Sequence, residues 1–93
     1  MIQYRIKDIK DRKTNQTRTD GVQKRWIGRI VMKPYPSVMG TEIVPSLKDA
    51  NGKENYEILY TSPIQDVIFK ENGDITVVTL NSIYEFEYLG DFE

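Results

Sequence analysis

Apolar and charged side chains alternate from the first residues of this chain. Ile2, Tyr4 and Ile6 fall on one side, and Gln3, Arg5 and Lys7 on the other. A period of two is the signature of an extended strand with one face buried. The same period returns around 24–33, 56–60 and 83–89, and no long window carries a helical period. Short strands with turn signals roughly every 8 to 12 residues predict an all-β domain.

Read along the chain, the first strand covers Ile2 to Lys7. The polar run KDRKTNQTRTDG, residues 10–21, predicts a long surface loop closing on Asp20-Gly21. Residues 24–33 predict a second strand, with Trp26, Gly28, Ile30 and Met32 on one face and Arg25, Ile27, Arg29, Val31 and Lys33 on the other. Gly28 inside it predicts a bulge or bend. Pro34-Tyr35-Pro36 stops that strand, because proline has no N–H for the ladder. Residues 41–47 read as a short strand, placed at an edge by Pro45. DANGK, residues 49–53, is a turn, and Tyr56 to Tyr60 a fourth strand broken by Ser62-Pro63.

The last third reads as a three-stranded meander. Asp66 to Phe69 leads into the turn Glu71-Asn72-Gly73-Asp74, and Asn-Gly is the strongest short hairpin signal. Ile75 to Leu80 returns, Asn81-Ser82 turns again, and Ile83 to Leu89 closes. Tyr84, Phe86 and Tyr88 share a face there, with Glu85 and Glu87 opposite. The fold expected is a small SH3-like or OB-like barrel of about five to seven antiparallel strands with a long polar first loop, as one domain.

Composition removes whole classes of chemistry. The 93 residues contain no cysteine and no histidine. Disulfides, thiolate nucleophiles and His-dependent triads are therefore impossible. No HExxH, GxSxG or glycine-rich phosphate loop occurs. Asp49 and Asn51 have the spacing of calcium-loop ligands, but Gly52 comes too early and the turn reading is preferred. An enzyme here would need an acid–base site of carboxylate, lysine, tyrosine or hydroxyl groups alone, and nothing in the spacing of Glu42, Asp49, Asp66 and Asp74 supports one. No cofactor and no metal site is expected. The N-terminus lacks the apolar core of a signal peptide and no stretch suits a spanning helix, so the expected setting is cytoplasmic, without a membrane.

The formal net charge of −1 conceals a split. Through Lys33 ten basic residues stand against three acidic ones, giving +7, and from Pro34 onward three stand against eleven, giving −8. Two readings of the basic half remain open. Arg5, Lys7, Arg12, Lys13, Arg18, Arg25, Arg29 and Lys33 could form a cationic nucleic-acid surface. On a strand, Arg25, Arg29 and Lys33 would point the same way, about 13 Å apart at each step. Alternatively the basic face of the first strand pairs with Glu85 and Glu87 if the terminal strands meet, and this second reading is favoured. Tyr35, between two prolines, is a candidate aromatic contact for a partner.

The run from Thr61-Ser62-Pro63-Ile64 through Gly73, followed by Thr79-Leu80-Asn81-Ser82-Ile83-Tyr84, resembles the tail of small uncharacterised β-barrel proteins of bacteria, phages and mobile elements. The resemblance implies a barrel and a mobile-element origin, and it transfers no functional residue.

Three functions follow as expectations. The first is a non-enzymatic protein-interaction module using the loops 10–23 and 34–41, its partner and oligomeric state undetermined by sequence. The second is a nucleic-acid-binding barrel using the cations named above. The third is a phage-type inhibitor that occupies a host enzyme's nucleic-acid site with an acidic face, because acidic surfaces are steered towards basic clefts.

Overall fold

The computed structural model describes residues 2–34, 41–49, 51–54 and 57–91. The chain is all-β apart from one short helix. Its elements are β1 (Ile2–Asp11), α1 (Gly21–Trp26), β2 (Ile30–Met32), β3 (Thr41–Lys48), β4 (Ile58–Phe69), β5 (Ile75–Thr79) and β6 (Ser82–Asp91). Each strand pairs antiparallel with the next in sequence, and β6 pairs back along β1.

β1 runs four residues beyond its expected end. Tyr4 and Ile6 point inward as the alternation requires, and then a register shift opens between Ile6 and Asp8. The shift leaves Lys7 exposed and restores the alternation one residue out of step, so that Ile9 is buried. A simple period-two count loses the strand at that bulge.

The expected second strand over 24–33 is corrected. Residues 21–26 are helical, and only Ile30–Met32 is a strand. Trp26 is buried from the helix's last turn, and the chain then reverses at Gly28, whose φ of 90° suits glycine. There the Gly28 N–H donates to the Ile6 carbonyl at 2.7 Å, and the Ile6 N–H donates to the Arg29 carbonyl at 2.9 Å. The bend expected at Gly28 is thus a full reversal.

Two proline expectations are also corrected. β4 continues straight through Ser62-Pro63, which pairs with the start of β3 on one side. On the other side the Pro63 carbonyl accepts the Leu80 N–H at 3.0 Å. Register shifts flank this point, between Thr41 and Ile43 and between Ile64 and Asp66, so the missing donor falls where the ladder is already irregular. Pro45 does not lie on an edge strand, because β3 pairs with both β2 and β4. It stands one residue before Ser46, where the short β2 stops pairing. The expected sites at Tyr35, in most of the 34–41 loop and at Tyr56 lie outside the described residues.

The meander forms as expected, with β6 starting one residue early at Ser82 and reaching Asp91. In its first turn Gly73 has φ of 95°, and the Asn72 side chain accepts the Asp74 N–H at 3.0 Å. The core joins Tyr4, Ile6 and Ile9 of β1 to Trp26, Val31 and Leu59 and to Ile75, Val77, Tyr84 and Phe86. Tyr88, expected on the same face, is largely exposed, and its ring meets Tyr4 edge-on at 5.5 Å. Among the described residues no helix is long and apolar enough to cross a membrane.

Candidate functional site

The terminal strands meet, and that pairing redistributes the basic half. Arg5 stands opposite Glu87 in register. Lys10 reaches Glu85 at 3.7 Å. Asp8 also faces Glu85 across the ladder, a like-charge pair that Lys10 partly offsets through its contact with Glu85. Arg29 is buried, with its guanidinium 4.3 Å from the Trp26 ring centroid and its Nη1 3.2 Å from Glu57 Oε2. Arg25 is exposed on α1, and Lys33 is half-buried beyond β2. The single cationic strand face expected of Arg25, Arg29 and Lys33 therefore does not exist, because the three lie on a helix, in a reversal and past a strand end.

The loop 12–20 holds the remaining candidates, and it is ordered by β1. Asp11 Oδ1 accepts the N–H groups of Lys13 at 2.8 Å and Thr14 at 3.1 Å. These two bonds, Thr14 first, hold the Asp11 carboxyl below its ordinary value, with a smaller contribution from the Arg18 guanidinium 3.5 Å away. Asn15 takes the left-handed conformation at φ 59°, and its N–H donates back to the Asp11 carbonyl at 2.8 Å. The Arg18 N–H donates to the Ile9 carbonyl at 2.8 Å, which lays the loop back along β1.

Arg12 and Arg18 fasten this loop to the turn between β5 and β6. The Arg12 N–H donates to the Asn81 carbonyl at 3.2 Å, and its Nη1 donates to the Thr79 carbonyl at 3.1 Å. Arg18 Nη2 donates to the Asn81 carbonyl at 2.8 Å and to Ser82 Oγ at 2.9 Å, while its Nε reaches Ser82 Oγ at 3.2 Å. From behind, the turn is held by β4, through Pro63 to Leu80 and through Ser62 Oγ, which accepts the Asn81 N–H at 3.2 Å.

An open groove of about 420 Å³ lies along this junction. Asp11, Arg12, Lys13 and Arg18, Gln23 of α1, and Leu80 and Asn81 of the β5–β6 turn line it. Leu80 is 57% exposed although both its neighbours are hydrogen-bonded in place. The lining carries three cations against one anion. A smaller groove of about 220 Å³, running from Asp11 to Asp20, shares Asp11 and Arg18 with it.

Arg12, Lys13 and Arg18 are thus brought together, whereas Arg5, Lys7, Arg25, Arg29 and Lys33 do not line the groove. Gln23 falls within the expected loop 10–23, but sequence reasoning missed Leu80 and Asn81. Their positions follow only from the meeting of β1 with β6, some seventy residues apart in the chain. Among the described residues no group of three or more aspartate or glutamate side chains is placed to hold a metal ion. No family model, curated protein or solved structure matches this chain.

Proposed function

We propose that this chain is a non-enzymatic interaction module, a small barrel of the SH3-like or OB-like kind, whose recognition surface is the groove between loop 12–20 and the β5–β6 turn. One observation carries the reading: Arg12, Lys13 and Arg18 line the same cleft as an exposed leucine, and the cleft's backbone is pinned from both sides. Pinned donors bind at low ordering cost. The pairing that runs from β1 to β6 and back to β1 supports the barrel assignment. A protein partner is the preferred occupant, and a mobile-element origin remains part of the proposal.

The other two functions draw less support. A nucleic-acid surface across the basic half loses Arg29 to the interior and has Arg5 facing Glu87. An acidic inhibitory face would need clustered carboxylates. Asp8, Glu85 and Glu87 on the β1–β6 seam are interleaved with Arg5 and Lys10, and Asp74 joins that seam by accepting the Tyr88 N–H at 2.8 Å, whereas Asp49 is in a separate turn and Asp66 is on β4.

Amide chemical-shift mapping tests the site. A panel of an acidic peptide, a neutral peptide and an oligodeoxythymidylate is added to the labelled protein. Shifts confined to residues 11–18 and 80–82 with any charged member support the groove. Shifts spread elsewhere, or none with any member, overturn it.

A further inference from the structure

We infer that the groove's ligand is an extended acidic peptide segment that also carries an aliphatic side chain, rather than a nucleic-acid strand. The inference rests on the groove being the recognition site and names what it recognises.

The unused donors set the charge of the ligand. Arg12 donates through Nη1 alone, leaving its Nε and Nη2 without a protein partner among the described residues. Arg18 is committed through Nε and Nη2, which leaves Nη1. The Lys13 ammonium makes no hydrogen bond or ion pair among the described residues, and the side chain is exposed. Donors of this kind, with the Gln23 amide nearby, suit carboxylates.

The remaining lining selects among anions. Single-stranded nucleic acid is held by a cationic track together with aromatic faces on which bases stack. Among the described residues the groove's lining has no aromatic side chain, and its one apolar element is Leu80. Among the described residues the exposed aromatics Tyr60, Phe69 and Tyr88 are on β4 and β6 and do not line it. Asp11, its carboxyl held ionised by Thr14 and Lys13, also repels a continuous phosphate backbone, whereas a peptide can set a neutral residue against it. A volume of about 420 Å³ seats a few side chains rather than the face of a folded domain. Leu80 supplies an apolar shelf for one of them.

The test uses fluorescence anisotropy of the whole chain with three fluorescein-labelled probes at near-physiological salt. They are a short glutamate peptide with a central leucine, the same peptide with serine in that place, and an oligodeoxythymidylate of equal charge. The leucine peptide is expected to bind about five- to tenfold more tightly than the serine peptide, the effect of partly burying one aliphatic side chain. Lys13→Glu is expected to weaken both peptides about tenfold, since it replaces attraction by repulsion at one contact. This substitution breaks no hydrogen bond of the loop, so folding is preserved. Leu80→Ser is expected to lower the leucine peptide to the affinity of the serine peptide and leave the latter unchanged.

Tighter binding of the oligonucleotide than of either peptide overturns the inference while leaving the groove as the recognition site. Equal affinity for the leucine and serine peptides removes the apolar part of the inference and so overturns it as stated. Peptide binding that Lys13→Glu does not weaken overturns the groove reading as well.

Discussion

Arg18 reaches across sixty-four residues of sequence to place its Nη2 2.9 Å from the Oγ of Ser82. Ser82 is buried, and its N–H donates to Thr79 Oγ1 at 3.0 Å while its carbonyl accepts the Thr79 hydroxyl at 3.0 Å. One side chain of the loop therefore completes the bonding of the tight turn between β5 and β6. Replacing it by methionine strands the Ser82 hydroxyl and leaves the Asn81 carbonyl with the Arg12 N–H alone. We expect Arg18→Met to lose about 1–3 kcal/mol of stability in urea denaturation. Arg18→Met with Ser82→Ala should lose less than the single change, because no buried hydroxyl is then left without its donor. A double variant less stable than Arg18→Met would contradict this account.

Arg29 poses the opposite problem, a buried cation with little return. Its Nε has no hydrogen-bond partner, and its partner carboxylate at Glu57 is 53% exposed in the side chain, so that ion pair contributes little. The cation over Trp26 adds the larger share, about 0.5–2 kcal/mol. Methionine keeps the cover over the indole and removes the orphaned donor. Arg29→Met should change stability by no more than about 1 kcal/mol, while Arg29→Ala, which uncovers the Trp26 ring, should cost about 2 kcal/mol or more. Thermal denaturation followed by tryptophan emission ranks the two, and equally large losses would show that the ion pair, which both variants remove, dominates.

Gly73 is held by both backbone and packing. Its φ is 95°, and a Cβ there would stand 3.0 Å from the Tyr88 ring. Gly52 has a comparable φ of 85°, and a Cβ there would meet no atom of the described residues within 4 Å. Gly52→Ala should cost about 1 kcal/mol from the backbone alone, and Gly73→Ala about 2 kcal/mol or more, since Tyr88 must also move. Equal losses in guanidinium titrations would mean that Tyr88 yields freely.

Asp11 gives the loop a dependence on acidity. Its folded carboxyl titrates below the ordinary value of 3.8 because Thr14 and Lys13 donate to the carboxylate. The folded state thus binds fewer protons than the unfolded chain in that range. The stability Asp11 contributes is present above the ordinary value and is lost as pH falls through the lowered one. Asp11→Asn should therefore show a shallower loss of stability than the parent between about pH 5 and pH 2. In carboxyl NMR titrations Asp11 should have a midpoint below that of an ordinary aspartate; a midpoint at or above it would remove the two backbone bonds from solution.

What sequence reveals here depends on whether a residue's neighbours are near it in the chain. The hairpin at Asn72-Gly73 is local turn chemistry and was readable. So was the inward set Tyr4, Ile6, Tyr84 and Phe86, and the meeting of the first strand with Glu85 and Glu87 followed from charge. The helix at 21–26 was not readable. Trp26, Ile30 and Met32 repeat at even spacing, which imitates a strand face, and six residues are too few to display a period of their own. Ser62-Pro63 misled for a related reason, because a bulge that accommodates proline is a property of two neighbouring strands and not of the dipeptide. In the groove, the cations were visible in one polar run, but the leucine and asparagine facing them come from a turn that nothing local connects to it.

The pairing of β1 with β6 also determines how the molecule bears load. Ile2 stands opposite Asp91, so the two ends of the described chain are neighbours on antiparallel strands. A force drawing those ends apart would open the seam one rung at a time, as a zipper opens, instead of straining all its bonds together. The last rung to part would be Asp11 with Ser82, some 30 Å away at the usual rise per residue. The groove is at that far end, so under tension it would be the part of the seam to hold longest.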